Sequence, residues 1–478
     1  MGLKNGDIVL LHSSLASLGQ VEGGARTVVD AFLDVLGENG TLVVPTFGAL
    51  GVITEIVKTD PKAVCSIHPK ASVAAIGKKA ADICRDHWKA ETAHADHTPY
   101  LRIAQLGGYV CLLGVDQDRN TTLHSAEALL RLPYLSTRKA TFSTPDGEVT
   151  KEWAFFPGPH RDFIGLDRIF RESLPASGGA AGDQGGKIKF TRIGNSVVRL
   201  IKSQDLIDTA LEAGRKNPAF VLCQNPHCED CVAQRAALIR HRLSGESFCL
   251  AAAGSLAGRY IPEMIENLKA SGLKLIELDY LEGRPIHLLP PEKIKNAAQE
   301  LQAGECEITA LRACAVTVAN SNLLETARVC NISRVTLPLG SDSALLAEEA
   351  HKQGLTVSFY NLGMDSRKAS DLILDLQNRQ LKFGFTFNAA AFVAAGEKPF
   401  LFSYKQKLRR FIDQLDMEDA LFDGSPAALA EGNAEIKEMI SILRCASFPG
   451  LMVLGTRNRF AGTLRDAMGR FTGLLDNM

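Results

Sequence analysis

From residue 248 to the end of the chain, short apolar runs recur with helical patterns between them. The runs at 248–253, 273–278, 307–312, 334–337, 356–360, 382–387, 411–415 and 451–454 read as strands. Helical spacing separates most of them, as at 261–270 and 345–353. Eight strands alternating with helices over about 230 residues narrow this half of the chain to a (β/α)8 barrel. The tail at 458–478 carries Leu464, Met468, Phe471 and Leu475 at helical spacing, which predicts a helix packed on a core or at an interface.

A chain of 478 residues exceeds one ordinary core, so two or three domains are expected. With 46% hydrophobic and 22% charged residues the composition is that of a globular protein, and a net charge of -1 argues for neither nucleic acid nor a membrane surface as partner. Apolar runs stay short of the roughly 18 residues a membrane span needs. The stretch from Met1 to Asp7 lacks the layout of a secretory signal, and Gly6 stands where a myristoylation motif calls for Ser or Thr. Most of the eleven cysteines lie singly in apolar segments (Cys111, Cys249, Cys314), as in reduced cores, which makes the cytoplasm the expected location.

The first half has a different rhythm. A strand at 7–12, a small polar loop from Ser13 to Gly24, a helix at 27–36 and a strand at 41–47 indicate an α/β layout. Backbone N–H groups of the loop suit an anionic or amide-bearing ligand, although an ordinary strand-to-helix connection reads the same way. A turn at His68-Pro69 is expected to lead into a helix that Ser72 helps to start. His87, Glu91, His94, Asp96 and His97 form a histidine-rich tract without a compact ligand pattern, expected to be polar loop at a site rim.

The stretch from Asn120 to Glu127 follows an apolar strand at 109–115 and opens a helix. His124 thus sits just past a strand end, with Glu127 three residues on and on the same helical face. A carboxylate beside an imidazole holds its tautomer and stabilises the imidazolium, as a general base requires. The plainer alternative is a hydrogen-bonded helix start. With Cys111 inside a strand and no cysteine adjoining His124, a thiol nucleophile has no support.

Several pieces in order then resemble the aminoglycoside 3-N-acetyltransferase (antibiotic N-acetyltransferase) family. They are Gly6-Asp7 with the strand ending His12-Ser13-Ser14-Leu15, Gly19-x-Val21-x-Gly23-Gly24, Gly40 to Phe47, His68-Pro69 with Ser72 to Gly77, Leu113-Gly114-Val115, and Asn120 to Glu127. Gly158 with Phe163, and Ile193-Gly194-Asn195 before Val198-Arg199-Leu200, resemble the closing segment. The resemblance implies an N-terminal α/β acetyltransferase domain over 1–235 that moves an acetyl group from acetyl-CoA to a small-molecule amine. It implies His124 as general base, Glu127 as its partner, and Thr121 or Thr122 as donor to the oxyanion. Ser13, Ser14, Leu15, Val21, Gly23, Gly24 and Ser72 would hold the cofactor; Asp96, Asp116 and Asp118 would form an acidic pocket for a polycation. His68 is either a structural turn or a site residue. Thr98-Pro99 departs from the Ser-Pro of many relatives, and a biosynthetic amine is as open as an aminoglycoside.

Three features remain. Cys223, Cys228 and Cys231, with His227 beside Cys228, are the right types for structural zinc, against the simpler reading of a reduced, partly buried turn. The glycine-rich stretch 177–186 reads as a lid or insertion. The barrel, 246–478, resembles the xylose-isomerase-like sugar phosphate isomerase/epimerase family, which implies a divalent metal at the strand ends. Tyr360, Ala391 and Gly455-Thr456 stand where ligands are expected, Asp416 stands in a histidine's place, and only Asp416, Glu418 and Asp419 keep the region acidic. A non-catalytic barrel that shapes an acceptor pocket or makes a homodimer is therefore expected. The alternatives are a bifunctional biosynthetic enzyme and a non-catalytic protein that binds CoA or a sugar.

Overall fold

The computed structural model describes residues 1–156, 163–171, 187–223, 225, 228–314, 320–406, 408–455 and 462–478. The stretch 177–186, Gly158, His227 and Thr456 lie outside them. The chain divides into two compact units, Met1–Leu238 and Ile239–Met478, with the division inside the helix Glu229–Leu243.

The first unit is built on a seven-stranded sheet. Its strands are β1 (Ile8–Ser13), β2 (Thr41–Pro45), β3 (Val64–Cys65), β4 (Val73–Gly77), β5 (Tyr109–Leu113), β8 (Ile188–Ile193) and β9 (Ser196–Lys202); β6 (Ser136–Thr144) and β7 (Gly147–Phe155) form a separate antiparallel ribbon. The sheet order is β3-β4-β2-β1-β5-β9-β8. β2, β1 and β5 run parallel in the centre, and antiparallel strands extend both sides. Alternate side chains feed two cores. Ile8, Leu10, Val43, Val110 and Leu112 pack on one face, and Val9, Leu11, Leu42, Val44, Cys111 and Leu113 on the other. Burial of both faces explains why these strands are continuous apolar runs.

One expectation is corrected here. The residues after Ser72 form β4 rather than a helix, pairing antiparallel with β2 from Val44↔Ala74 to Thr41↔Gly77. Val73 to Ile76 are buried in succession, and an amphipathic helix would have exposed some of them.

The parallel pairing of β1 with β5 places the site. Leu11 lies beside Cys111, His12 beside Leu112 and Ser13 beside Leu113, so the loops leaving both strands open on one edge. That edge, at the carboxyl ends of parallel neighbours, is where open α/β sheets form crevices. The chain leaves β5 through Gly114 at φ +68°, and a Cβ there would lie 1.8 Å from the Ser17 hydroxyl.

The second unit is a closed barrel of eight parallel strands: Cys249–Ala253, Leu275–Leu278, Glu307–Arg312, Arg334–Pro338, Thr356–Tyr360, Gly384–Asn388, Ile412–Met417 and Leu451–Leu454. Each falls on one of the eight apolar runs. The terminal helix Leu464–Asp476 buries Leu464, Met468, Phe471 and Leu475. Inside the barrel Arg312 takes a position not foreseen from the sequence. Its guanidinium donates to Glu277 at 3.0 Å and to both Asp416 oxygens at 2.9 and 2.6 Å. Thr336 and Gln414 donate to Glu277, and Asn388 donates to Asp416. Burial by itself would lower the Arg312 pKa, but Asp416 and Glu277 raise it well above the usual value, so the cation is permanent. Tyr360, 4.2 Å beneath the guanidinium, adds a ring face. An arginine thus sits between the carboxylates that remain there.

Candidate active site

A cavity of about 700 Å³ opens where β1 and β5 end. Its wall includes His12 and Ser13 at the end of β1 with Ser14 and Leu15 beyond it, Pro45 at the end of β2 with Phe47 beyond it, and Asn120, Thr121 and His124 after β5, together with Lys70, His94 and Phe155. These segments are distant in sequence, and the strand order brings them together.

At its edge the helix Leu123–Leu130 presents His124, whose Nδ1 lies 2.6 Å from Glu127 Oε2. A carboxylate only accepts, so Nδ1 carries the proton and donates. This leaves the lone pair of the neutral ring on Nε2. Glu127 is fully buried, whereas the His124 side chain keeps 18% of its surface exposed. A proton can therefore reach the imidazole but not its partner from solvent. Tyr134 donates its hydroxyl to the second carboxylate oxygen at 2.7 Å. Burial and the Glu127 charge hold that tyrosine protonated.

Two further rings frame His124. Phe156 lies 4.6 Å and His94 4.9 Å from its ring, and His94 is fixed by the packing of Tyr100 at 5.1 Å. His12 lies nearby, and burial followed by repulsion from His124 lowers its pKa to about 3. It therefore stays neutral, and its Nε2 has no hydrogen-bond partner among the described residues. The sequence assigns no role to either His12 or Tyr134. His12 ends a strand and Tyr134 follows a helix with no local pattern that advertises either, although the order His12-Ser13-Ser14 was itself a recognisable piece.

The loop before His124 is braced from behind. Asn120 donates to Gln117 at 2.8 Å, Gln117 donates to Asp167 at 2.9 Å, and Arg199 on β9 joins Asp167 at 2.8 Å and also pairs with Asp116. Asn120 Oδ1 in turn accepts from the Thr122 N–H at 3.2 Å.

The structure divides the remaining candidates. Ser13, Ser14, Leu15, Thr121 and His124 line the cavity; Val21, Gly23, Gly24, Ser72, Thr122, His68, Asp96 and Asp116 do not. Gly23 and Gly24 instead start the helix Gly24–Leu36, both at positive φ. Ser72 accepts from Thr46 at 2.9 Å. Thr122 is wholly buried. His68 stacks on His87 at 4.7 Å and meets Trp153 edge-on at 4.8 Å, so it is part of a buried aromatic stack. Burial and Lys151 lower its pKa to about 4. Asp96 is exposed elsewhere, and Asp116 lines a neighbouring cavity with Arg199. Among the described residues, Asp118 is the one carboxylate on the main wall, with Arg119 and Lys70 as cations. Within the histidine-rich tract, His94 is not a polar rim residue but part of this wall.

The profile of a family described as aminoglycoside 3-N-acetyltransferase matches residues 10–49 and 48–213. Aminoglycoside N(3)-acetyltransferase IV of Salmonella sp is 31% identical over 241 residues, which cover 46% of this chain and 86% of that protein. This chain belongs to the aminoglycoside 3-N-acetyltransferase family. The match falls on the first unit, which is an N-acetyltransferase domain. The SPbeta prophage-derived aminoglycoside N(3')-acetyltransferase-like protein YokD of Bacillus subtilis (strain 168) is 29% identical over 250 residues, covering 44% of this chain and 86% of the relative. Among solved structures, the apoenzyme of aminoglycoside acetyltransferase AAC(3)-IVa aligns at 29% identity with a TM-score of 0.43, covering 49% of this chain and 92% of that one.

Proposed function

We propose that the first unit transfers the acetyl group of acetyl-CoA to an amine of an aminoglycoside or a related amino sugar, with His124 as general base. The observation that carries this reading is the 2.6 Å contact between His124 Nδ1 and the buried Glu127 at the wall of the cavity. It puts the basic lone pair on Nε2. The names of the curated relatives support the acceptor class.

In the reaction the acceptor's amine nitrogen attacks the thioester carbonyl carbon. His124 Nε2 takes the proton that the nitrogen must lose, and Glu127 stabilises the resulting imidazolium. The carbonyl oxygen becomes an oxyanion beside Thr121, which lines the cavity and supplies a hydroxyl. Collapse breaks the carbon–sulfur bond, and the imidazolium can return its proton to the departing CoA thiolate. Direct transfer suits this site, because Cys111 is buried with its thiol raised to about 12 and offers no nucleophile. Ser13, Ser14 and Leu15 would hold the pantetheine arm, and Lys70 and Arg119 suit its phosphates.

The test is release of free CoA from acetyl-CoA across a panel of aminoglycosides and simpler amino sugars, for the intact chain and for His124→Ala. Acceptor-dependent release that falls by at least about 10²-fold in the variant supports the assignment. Equal turnover by both proteins refutes His124 as the base.

A further inference from the structure

Behind the catalytic pair, Cys223, Cys228 and Cys231 bring their sulfur atoms within 4.8 Å of one another. Cys223 follows the helix Ser203–Lys216 through a short turn. Cys228 and Cys231 stand at and just inside the start of the helix Glu229–Leu243. Among the described residues this is the one group of histidine, cysteine and carboxylate atoms close enough to hold a metal ion. No pair of these cysteines is bridged as a disulfide. A tetrahedral zinc ion with bonds of about 2.3 Å to sulfur sets its thiolates roughly 3.8 Å apart, a spacing that fits inside this cluster.

We propose that these three cysteines form a zinc site that fastens the start of the helix Glu229–Leu243 to the acetyltransferase core. On binding, three S–H bonds break, three Zn–S bonds form, and three protons pass to solvent. Thiolate softness selects zinc over magnesium or calcium. Cys231 is 1% exposed, while Cys223 and Cys228 are half-buried, so the cluster lies at the margin of the core. Arg235 donates to the Asn225 carbonyl at 2.9 Å and ties that residue to the same helix.

The location gives the ion a consequence. Cys231 belongs to the same core cluster as Tyr134, Trp153 and Phe156, with Cys223 and Cys228 packed against it. Tyr134 is the residue that donates to Glu127. A metal that locks the cysteine turn therefore presses on the support of the catalytic pair without touching the cavity. Zinc here is structural, and its presence does not depend on what the enzyme acetylates.

The experiment is elemental analysis of the full chain, produced with zinc in the medium and purified without a metal-affinity step. Wild type is expected to hold one zinc per chain, and the Cys223→Ser/Cys228→Ser variant close to none. That variant spares the buried Cys231, so a retained far-ultraviolet spectrum separates loss of metal from loss of fold. Mercurial titration of wild type should release the zinc as the thiols react, and cobalt substitution should give a thiolate-to-metal charge-transfer band. Equal zinc in wild type and variant, stoichiometric copper in its place, or three thiols that react without releasing metal would each overturn the proposal.

Discussion

The Tyr134 hydroxyl donates to Glu127 Oε1 at 2.7 Å while His124 Nδ1 holds Oε2 at 2.6 Å. Both carboxylate oxygens are thereby committed, and the imidazole has one orientation. Removing the tyrosine hydroxyl takes one donor away from a wholly buried carboxylate. Tyr134→Phe is expected to lower kcat about tenfold with KM for acetyl-CoA little changed, as for other residues that orient a catalytic histidine. An unchanged kcat in steady-state assays would show that the hydroxyl does not position the pair.

Thr121 and Thr122 have been left adjacent and equivalent by the sequence, but they stand differently in the fold. Thr121 lines the cavity and Thr122 is buried away from it. Thr121→Val is expected to reduce kcat by about 10²-fold, the size typical of losing one oxyanion donor, and Thr122→Val to reduce it much less. The reverse order in the same assay would exchange their roles.

Acid should unfold the first unit early. Burial is the main cause that lowers the pKa of His12 to about 3, His68 to about 4 and His87 to about 3, against 6.5 when exposed. Between pH 6.5 and these values the unfolded chain binds the extra protons, so stability rises with pH. The contribution is fully present above 6.5 and is lost as pH falls toward 4 and 3. The slope is about 1.4 kcal/mol per histidine per pH unit. Urea unfolding followed from neutral pH down to about pH 5 should show it. His68→Phe, which keeps a ring against His87 and Trp153, should flatten it by one histidine's share. A profile with no slope in that window would contradict the buried neutral state.

In the barrel, the single Arg312 cation is shared between Glu277 and Asp416. Deleting one partner of a buried ion cluster leaves uncompensated charge. Arg312→Met is therefore expected to destabilise the second unit by about 3–5 kcal/mol, measured as a shift of its own unfolding transition. Acetyl transfer at low temperature is the control. Arg312→Met joined with Glu277→Gln and Asp416→Asn should recover much of the loss, and failure to recover would mean that packing rather than charge dominates.

The parts of this protein legible in the sequence are those governed by local spacing. Glu127 lies three residues beyond His124 on one helix, and their contact follows from helical geometry. The barrel strands announced themselves as apolar runs separated by helices, because each is buried on both sides. Ser72 misled for the same local reason. A serine before alanines and valines suits a helix cap, and only β2 waiting alongside makes Val73–Gly77 a strand.

The sequence alone determined the two-part α/β plan and the His124–Glu127 pair, since both rest on periods of a few residues. Tertiary structure alone decided which distant groups meet them. Strands β1 and β5, about a hundred residues apart, pair in parallel and carry His12 to the cavity beside His124. Arg312 finds Glu277 and Asp416 only because eight strands close into a ring. Neither meeting has a sequence period, because each depends on register between strands and not on spacing within one.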